Sequence, residues 1–215
     1  GATFAYVNTS INGYIGGVAS NADNSIQVLS CLGSNGLWYS TNTGQSWTQV
    51  SGTAGNNFYG VGFGNGRFMS TKPSTNQTLT STNGSSWTYV TAPANTLTNI
   101  YYRVAAPVYA NGIWAIPTSG GKVLTSANDG ASWTTQQTNV GYQTYSIAYA
   151  NDAWLLMGQS GYLFKAEGHT SGSTALTFQQ IPNPLASNGS TFGAAYGSDV
   201  WAVTLYNNTH VMTST

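Results

Sequence analysis

A box of eight residues that returns along the chain constrains its fold more than any other feature. Ser40-Thr41-Asn42-Thr43-Gly44-Gln45-Ser46-Trp47 follows the apolar run Leu37-Trp38-Tyr39. Ser126-Ala127-Asn128-Asp129-Gly130-Ala131-Ser132-Trp133 follows Val123-Leu124-Thr125. Between them, Ser81-Thr82-Asn83-Gly84-Ser85-Ser86-Trp87 is the same pattern one residue shorter, after Thr78-Leu79-Thr80. Trp47, Trp87 and Trp133 stand 40 and 46 residues apart. That spacing is the length of one four-stranded unit in an array of repeated sheets.

A second landmark precedes each box. Phe63-Gly64-Asn65-Gly66-Arg67-Phe68 places two aromatics across a tight turn. So do Tyr109-Ala110-Asn111-Gly112-Ile113-Trp114, Tyr149-Ala150-Asn151-Asp152-Ala153-Trp154 and Tyr196-Gly197-Ser198-Asp199-Val200-Trp201. Asn-Gly and Asn-Asp between apolar alternations predict two-residue hairpins, because those turns need residues that tolerate positive φ. Each unit therefore reads as four strands, A to D. In the third unit they cover about 104–109, 113–116, 122–125 and 132–136. The A strands are rich in small residues, as in Gly60-Val61-Gly62 and Gly193-Ala194-Ala195, which predicts that they lie innermost, where strands converge.

The fourth unit keeps Tyr162-Leu163-Phe164 as strand C, but its box is eroded and Phe178 takes the tryptophan position. In the last unit Val211-Met212-Thr213-Ser214-Thr215 matches the start of a box, and Gly1-Ala2-Thr3-Phe4 matches its end. Residues 1–7 are thus expected to supply the outer strand of the last unit. The 215 residues then divide into five units of about 43. The expected fold is all-β: a single five-bladed β-propeller of four-stranded antiparallel blades, closed by the N-terminal strand. The blades run about 8–50, 51–90, 91–136, 137–180, and 181–215 with 1–7. Closure removes open sheet edges.

The box resembles the Asp box (BNR repeat), Ser-x-Asp-x-Gly-x-x-Trp, of sialidases and many other propellers. All three clear copies carry Asn (Asn42, Asn83, Asn128) where that family usually has Asp. Either side chain can accept from nearby backbone N–H groups and close a turn. The resemblance implies a structural role for Ser40, Asn42, Gly44 and Trp47, for Ser81, Asn83 and Trp87, and for Ser126, Asn128, Gly130 and Trp133. It also implies a ligand face at the opposite end of the blades.

Charge narrows the function. Only 5% of the residues are charged, against about 25% in ordinary soluble domains, so the surface is made of neutral polar groups. That composition predicts an extracellular or virion-surface protein. The net charge is zero and the five basic residues are scattered, which argues against a nucleic-acid partner. No apolar run reaches the roughly 18 residues of a membrane span. Cys31 is the only cysteine and reads as a buried strand residue.

The sialidase resemblance would require three arginines around a carboxylate, and this chain has only Arg67 and Arg103. Glycosidases in general use two close carboxylates. The acids here, Asp23, Asp129, Asp152, Glu167 and Asp199, all fall in A–B turns or the box region. No metal cluster or phosphate loop is evident, and Asn128-Asp129 lacks the carboxylates of a calcium cage. The expectation is a non-enzymatic protein without metal or cofactor.

What is left is binding. The D–A and B–C loops are neutral and rich in Ser, Thr, Asn and Gly, and aromatics stand where they meet strand A. Tyr14, Tyr59, Tyr102, Tyr142, Tyr145 and Phe192 are therefore the candidate ligand-binding residues. Aromatic platforms beside amides and hydroxyls suit sugar rings. The expected function is a lectin- or adhesin-like module for a glycan or surface receptor. The alternative is a structural or decorating component of a virion, such as a phage tail fibre, or of an extracellular assembly. A glycosidase is a remote third reading.

Overall fold

The computed structural model describes residues 11, 13–97, 106–138, 141, 143–182, 189–206 and 211–214. They form four four-stranded sheets and one three-stranded sheet, each antiparallel with sequential strands as neighbours. The first sheet is β1 (Ile15–Ser20), β2 (Gln27–Cys31), β3 (Leu37–Ser40) and β4 (Thr48–Gln49). The second is β5 (Tyr59–Gly64), β6 (Arg67–Lys72), β7 (Gln77–Ser81) and β8 (Thr88–Thr91). The third is β9 (Val108–Ala110), β10 (Ile113–Pro117), β11 (Lys122–Ser126) and β12 (Thr134–Gln137). The fourth is β13 (Thr144–Ala150), β14 (Ala153–Gly158), β15 (Leu163–Glu167) and β16 (Gln179–Ile181). The fifth is β17 (Ser190–Gly197), β18 (Val200–Tyr206) and β19 (Val211–Thr213). The expected outer strand from residues 1–7 lies outside the described residues.

All four aromatic–turn–aromatic segments are two-residue hairpins. Asn65-Gly66, Asn111-Gly112, Asn151-Asp152 and Ser198-Asp199 have both turn residues at φ between 45° and 80°, the type I′ geometry that matches strand twist. The flanking aromatics become direct cross-strand partners, such as Phe63 with Phe68 and Tyr149 with Trp154. Across the four hairpins their rings lie 4.8 to 5.4 Å apart and are tilted by 56° to 60°, a favoured aromatic geometry.

The box folds as a side-chain-closed turn. Ser126 Oγ accepts from the backbone N–H of Asn128 at 3.3 Å and of Gly130 at 2.9 Å, and donates to Asn128 Oδ1 at 2.9 Å. Asn128 Oδ1 in turn accepts from the Ser132 backbone N–H at 2.9 Å. The same bonds recur around Ser40 and Asn42, and around Ser81 and Asn83. The turn needs an accepting side-chain oxygen, and the asparagine carboxamide supplies it. Trp47 and Trp87 donate from Nε1 to the carbonyls of Gly44 and Gly84 in their own turns, at 3.0 and 2.9 Å. Trp133 differs: its Nε1 donates to Thr78 Oγ1 of the second sheet at 3.1 Å. As Trp47 precedes β4 and Trp87 precedes β8, Trp133 precedes β12, which starts at Thr134 rather than the expected Ser132.

The apolar core is divided into seams between sheets. β10 and β14 are central strands with apolar residues on both faces, so their sequences are unbroken apolar runs rather than alternations. Ile113 and Ala115 pack with Trp154 and Leu156 in the seam between the third and fourth sheets. Trp114 and Ile116 turn the other way, onto Tyr59 and Met69 of the second sheet. Leu155 and Met157 likewise meet Val203 of the fifth. The innermost strands approach closely because they carry glycine. A Cβ on Gly62 would lie 2.0 Å from the Pro107 carbonyl oxygen, and one on Gly64 would lie 2.1 Å from Tyr109 Cβ.

The hydroxyl of Ser126 is buried at the centre of the third box. Ser126→Ala leaves two backbone N–H groups without their acceptor, so it is expected to destabilise the fold by about 1–3 kcal/mol. Urea unfolding of the variant beside the parent checks this. Cys31 is fully buried, and burial pushes its thiol up to about 11. The thiol's contribution to stability is intact below the thiol's unfolded value and is lost as pH rises through the folded one. A disulfide reagent at neutral pH is expected to label Cys31 only at the rate of unfolding, and rapid labelling of the native protein contradicts this burial.

Candidate functional site

The hairpin order gives the sheets two different ends. The A–B turns and the boxes share one end. The connections from β4 to β5, β8 to β9, β12 to β13 and β16 to β17 share the other with the second loops of each sheet, and this loop end is where the sequence places the ligand face. Of the candidate aromatics, Tyr102 and Tyr142 lie outside the described residues. Tyr14 is 77% exposed. Tyr59 is 9% exposed and packs among Met69, Leu97, Trp114 and Ile116, so it serves as core at the seam between the second and third sheets.

Tyr145 and Phe192 come together. Their rings are stacked, with centroids 4.8 Å apart and planes within 6°. The cause is a register shift in each innermost strand. β13 pairs with β14 through Thr144 and then Ser146, and β17 pairs with β18 through Thr191 and then Gly193. Tyr145 and Phe192 are the extra residues of these β-bulges. A bulge re-aims the side chain it carries and is common beside functional sites. Tyr59 occupies the same place relative to its turn, but in β5 the register shifts across Gly60, between Tyr59 and Val61. One position in the repeat thus becomes core in the second sheet and a stacked pair in the fourth and fifth.

The residues beside the stack hold it in place. Thr144 Oγ1 donates to the Thr118 carbonyl at 2.5 Å. Thr191 Oγ1 accepts from the Gly158 N–H at 2.9 Å. Gln143 Oε1, next along the chain from Thr144, is buried with no hydrogen-bond partner. Elsewhere at this end the amides are consumed by the loops themselves. Asn76 Nδ2 donates to the carbonyls of Ala92 and Pro93, each at 2.9 Å, and its Oδ1 accepts from the Leu97 N–H.

The five acids are spent at the box end. Asp23 accepts from the hydroxyl and backbone N–H of Ser25, which hold its carboxyl below the usual value. Asp129 meets Arg67 Nε at 3.2 Å and Asn65 Nδ2 at 2.9 Å, tying the third box to the second sheet's turn. Asp152 and Asp199 accept from the hydroxyls of Tyr149 and Tyr196, at 2.8 and 3.0 Å. Burial of each ring and then the carboxylate beside it raise both phenols. Glu167 pairs with Lys165. Asn111 Nδ2 reaches the His169 carbonyl at 2.9 Å and Nδ1 at 3.1 Å, so the eroded fourth box is tied to the third sheet's turn. Among the described residues there is no group of three or more His, Cys, Asp or Glu able to hold a metal. No described helix is long and apolar enough to cross a membrane.

No protein-family model matches the chain, and no curated protein matches it in sequence. Solved structures do match in shape. YCF48 bound to D1 peptide aligns over 97% of this chain and 67% of its own, at 14% identity and a TM-score of 0.65. Virginiamycin B lyase from Staphylococcus aureus, as an inactive variant with quinupristin, aligns over 97% and 72%, at 14% identity and 0.67. The β-propeller domain of Cps50 (Swd1) from Myceliophteria thermophila aligns over 94% and 71%, at 10% identity and 0.65. At these identities the likeness is one of fold: the sheets of this chain are arranged as in β-propeller proteins.

Proposed function

We propose that this protein is a non-enzymatic recognition module that binds a glycan, or the glycan of a surface receptor, at the loop end. The observation that carries the reading is the Tyr145–Phe192 stack. Two bulged aromatics at one seam, beside a Gln143 oxygen with no hydrogen-bond partner, combine an apolar face with a hydrogen-bonding group. Sugar rings have that dual character. The use of every acidic side chain in turns and ion pairs at the other end supports a binding role over glycosidase chemistry, which needs paired, accessible carboxylates. The peptide in the YCF48 complex accords with a propeller that recognises a partner.

A structural role in a virion or extracellular assembly is the second reading. It is favoured by Tyr14, Ile15 and Val18 on the first sheet and Val211 on the last, which are exposed apolar residues. It accords with the scarcity of charge as well.

We also infer that the propeller has five blades of the Asp-box type, with residues 1–7 as the outer strand beside β19. The support is the match of Gly1-Ala2-Thr3-Phe4 to Gly130-Ala131-Ser132-Trp133, beside a fifth sheet that shows three strands among the described residues.

Binding is tested on a glycan array with the parent and with Tyr145→Ala and Phe192→Ala, each checked for an intact fold by near-UV circular dichroism. The expected result is selective binding that each variant weakens roughly tenfold. Absence of any glycan bound, together with stoichiometric incorporation into a particle, favours the structural reading instead. Deletion of residues 1–7 is expected to lower the melting temperature by several degrees, through loss of an edge strand's pairing and packing. An unchanged melting curve rules out that closure.

A further inference from the structure

The second sheet departs from the repeat in two ways, and both departures meet in one cleft at the box end. The first is Arg67. The residue that follows the A–B turn is Ile113 in the third sheet, Ala153 in the fourth and Val200 in the fifth, so a cation stands where the repeat is otherwise apolar. Its Nε is held by Asp129 at 3.2 Å, and its two Nη atoms have no hydrogen-bond partner among the described residues. The second departure is the shortened box. In the full-length boxes Asn42 Nδ2 donates to Ser46 Oγ at 2.8 Å and Asn128 Nδ2 to Ser132 Oγ at 2.9 Å. With one residue missing, Asn83 keeps its Oδ1 bonds to the N–H groups of Ser85 and Ser86. Its Nδ2 has no partner among the described residues, and neither do the hydroxyls of Thr82, Ser86 and Thr88.

These groups line a half-open cleft of about 260 Å³ together with the indole of Trp87. The ring is a fixed wall: Nε1 is bonded to the Gly84 carbonyl at 2.9 Å, and its apolar body packs toward Leu79 and Phe68. The cleft therefore offers one aromatic surface, a guanidinium fork, a carboxamide donor and three hydroxyls. Because Asp129 balances Arg67, the site carries no net charge and favours a neutral ligand. The volume falls just below the roughly 300–1,000 Å³ of pockets for drug-sized molecules, which limits the occupant to about one ring.

We propose that Arg67, Asn83 and Trp87, with the hydroxyls around them, form a binding site for a single neutral pyranose ring at the box end of the second sheet. An aromatic wall takes the apolar face of such a ring, and clustered donors and hydroxyls take its hydroxyl groups. This site is separate from the Tyr145–Phe192 stack and does not depend on it.

The test is an amide and indole NMR titration of the full chain with four probes at millimolar concentration: methyl β-D-glucopyranoside, methyl β-D-galactopyranoside, methyl α-D-mannopyranoside and N-acetylglucosamine. At least one probe is expected to shift the Trp87 Nε1–H and the backbone amides of residues 82–88. Thr88→Phe, an exposed position that fills the cleft, is expected to abolish those shifts at an unchanged melting temperature. Arg67→Gln is expected to weaken binding roughly tenfold, and Tyr145→Ala to leave it intact. No shift in residues 82–88 with any probe overturns the proposal. So do shifts that survive Thr88→Phe, and so do shifts lost with Tyr145→Ala but not with Thr88→Phe, which assign the sugar to the loop end.

Discussion

No sheet in this protein can bury its own faces. Each is, among the described residues, a layer three or four strands wide, apolar on both sides at its centre, so stability lies in the seams between neighbours. This is the constraint on which the rest depends. It explains why β10 and β14 are unbroken apolar runs whose alternate residues enter different seams. It also explains Gly62 and Gly64, which lie against Pro107, just before β9, and Tyr109 of β9 with no room for a side chain. Deleting a core side chain such as Leu156 costs about 2–5 kcal/mol, and here such a loss falls on one seam between two sheets.

Two of the seams are also fastened by hydrogen bonds at the box end among the described residues, both in the same direction along the chain. The turn of the second sheet holds the third box through Asn65 and Arg67 with Asp129. The turn of the third holds the eroded fourth box through Asn111 with His169 and Gly172. Gly130, at φ +83°, lies so close to Met69 of the second sheet that an added Cβ would come within 2.9 Å of its methyl carbon. The box is thus both a local turn and a docking surface for the preceding sheet. In a chain with so few charges, most of these fasteners are neutral amides and carbonyls, which salt does not screen.

What could be read from the sequence is what depends on neighbours in the chain. The positive-φ hairpins and the Ser–Asn turn are set within eight residues, so their residue types announce them. Which way a side chain faces at the loop end was not legible, because a β-bulge reverses the alternation after it. Tyr59, Tyr145 and Phe192 occupy one place in the repeat, yet the shift falls on Gly60 in one strand and on the aromatic itself in the other two. Nothing local distinguishes them beforehand except the glycine that follows Tyr59. Trp133 escaped for a similar reason: its partner, Thr78, lies 55 residues away in another sheet.

A repeat also separates scaffold from chemistry. Residues that recur in the three clear boxes, such as their serine, asparagine and glycine, are explained once their backbone bonds are drawn, and they leave little for a ligand. Chemistry is to be sought where one unit breaks the pattern without a structural need. Glu167 and Asp199 break no pattern of that kind, since each is satisfied within a few residues. The bulged Tyr145 and Phe192 do break it, as do Arg67 and the shortened box around Asn83. They mark opposite ends of the molecule, and the two proposed sites both lie where the repeat breaks rather than where it is kept.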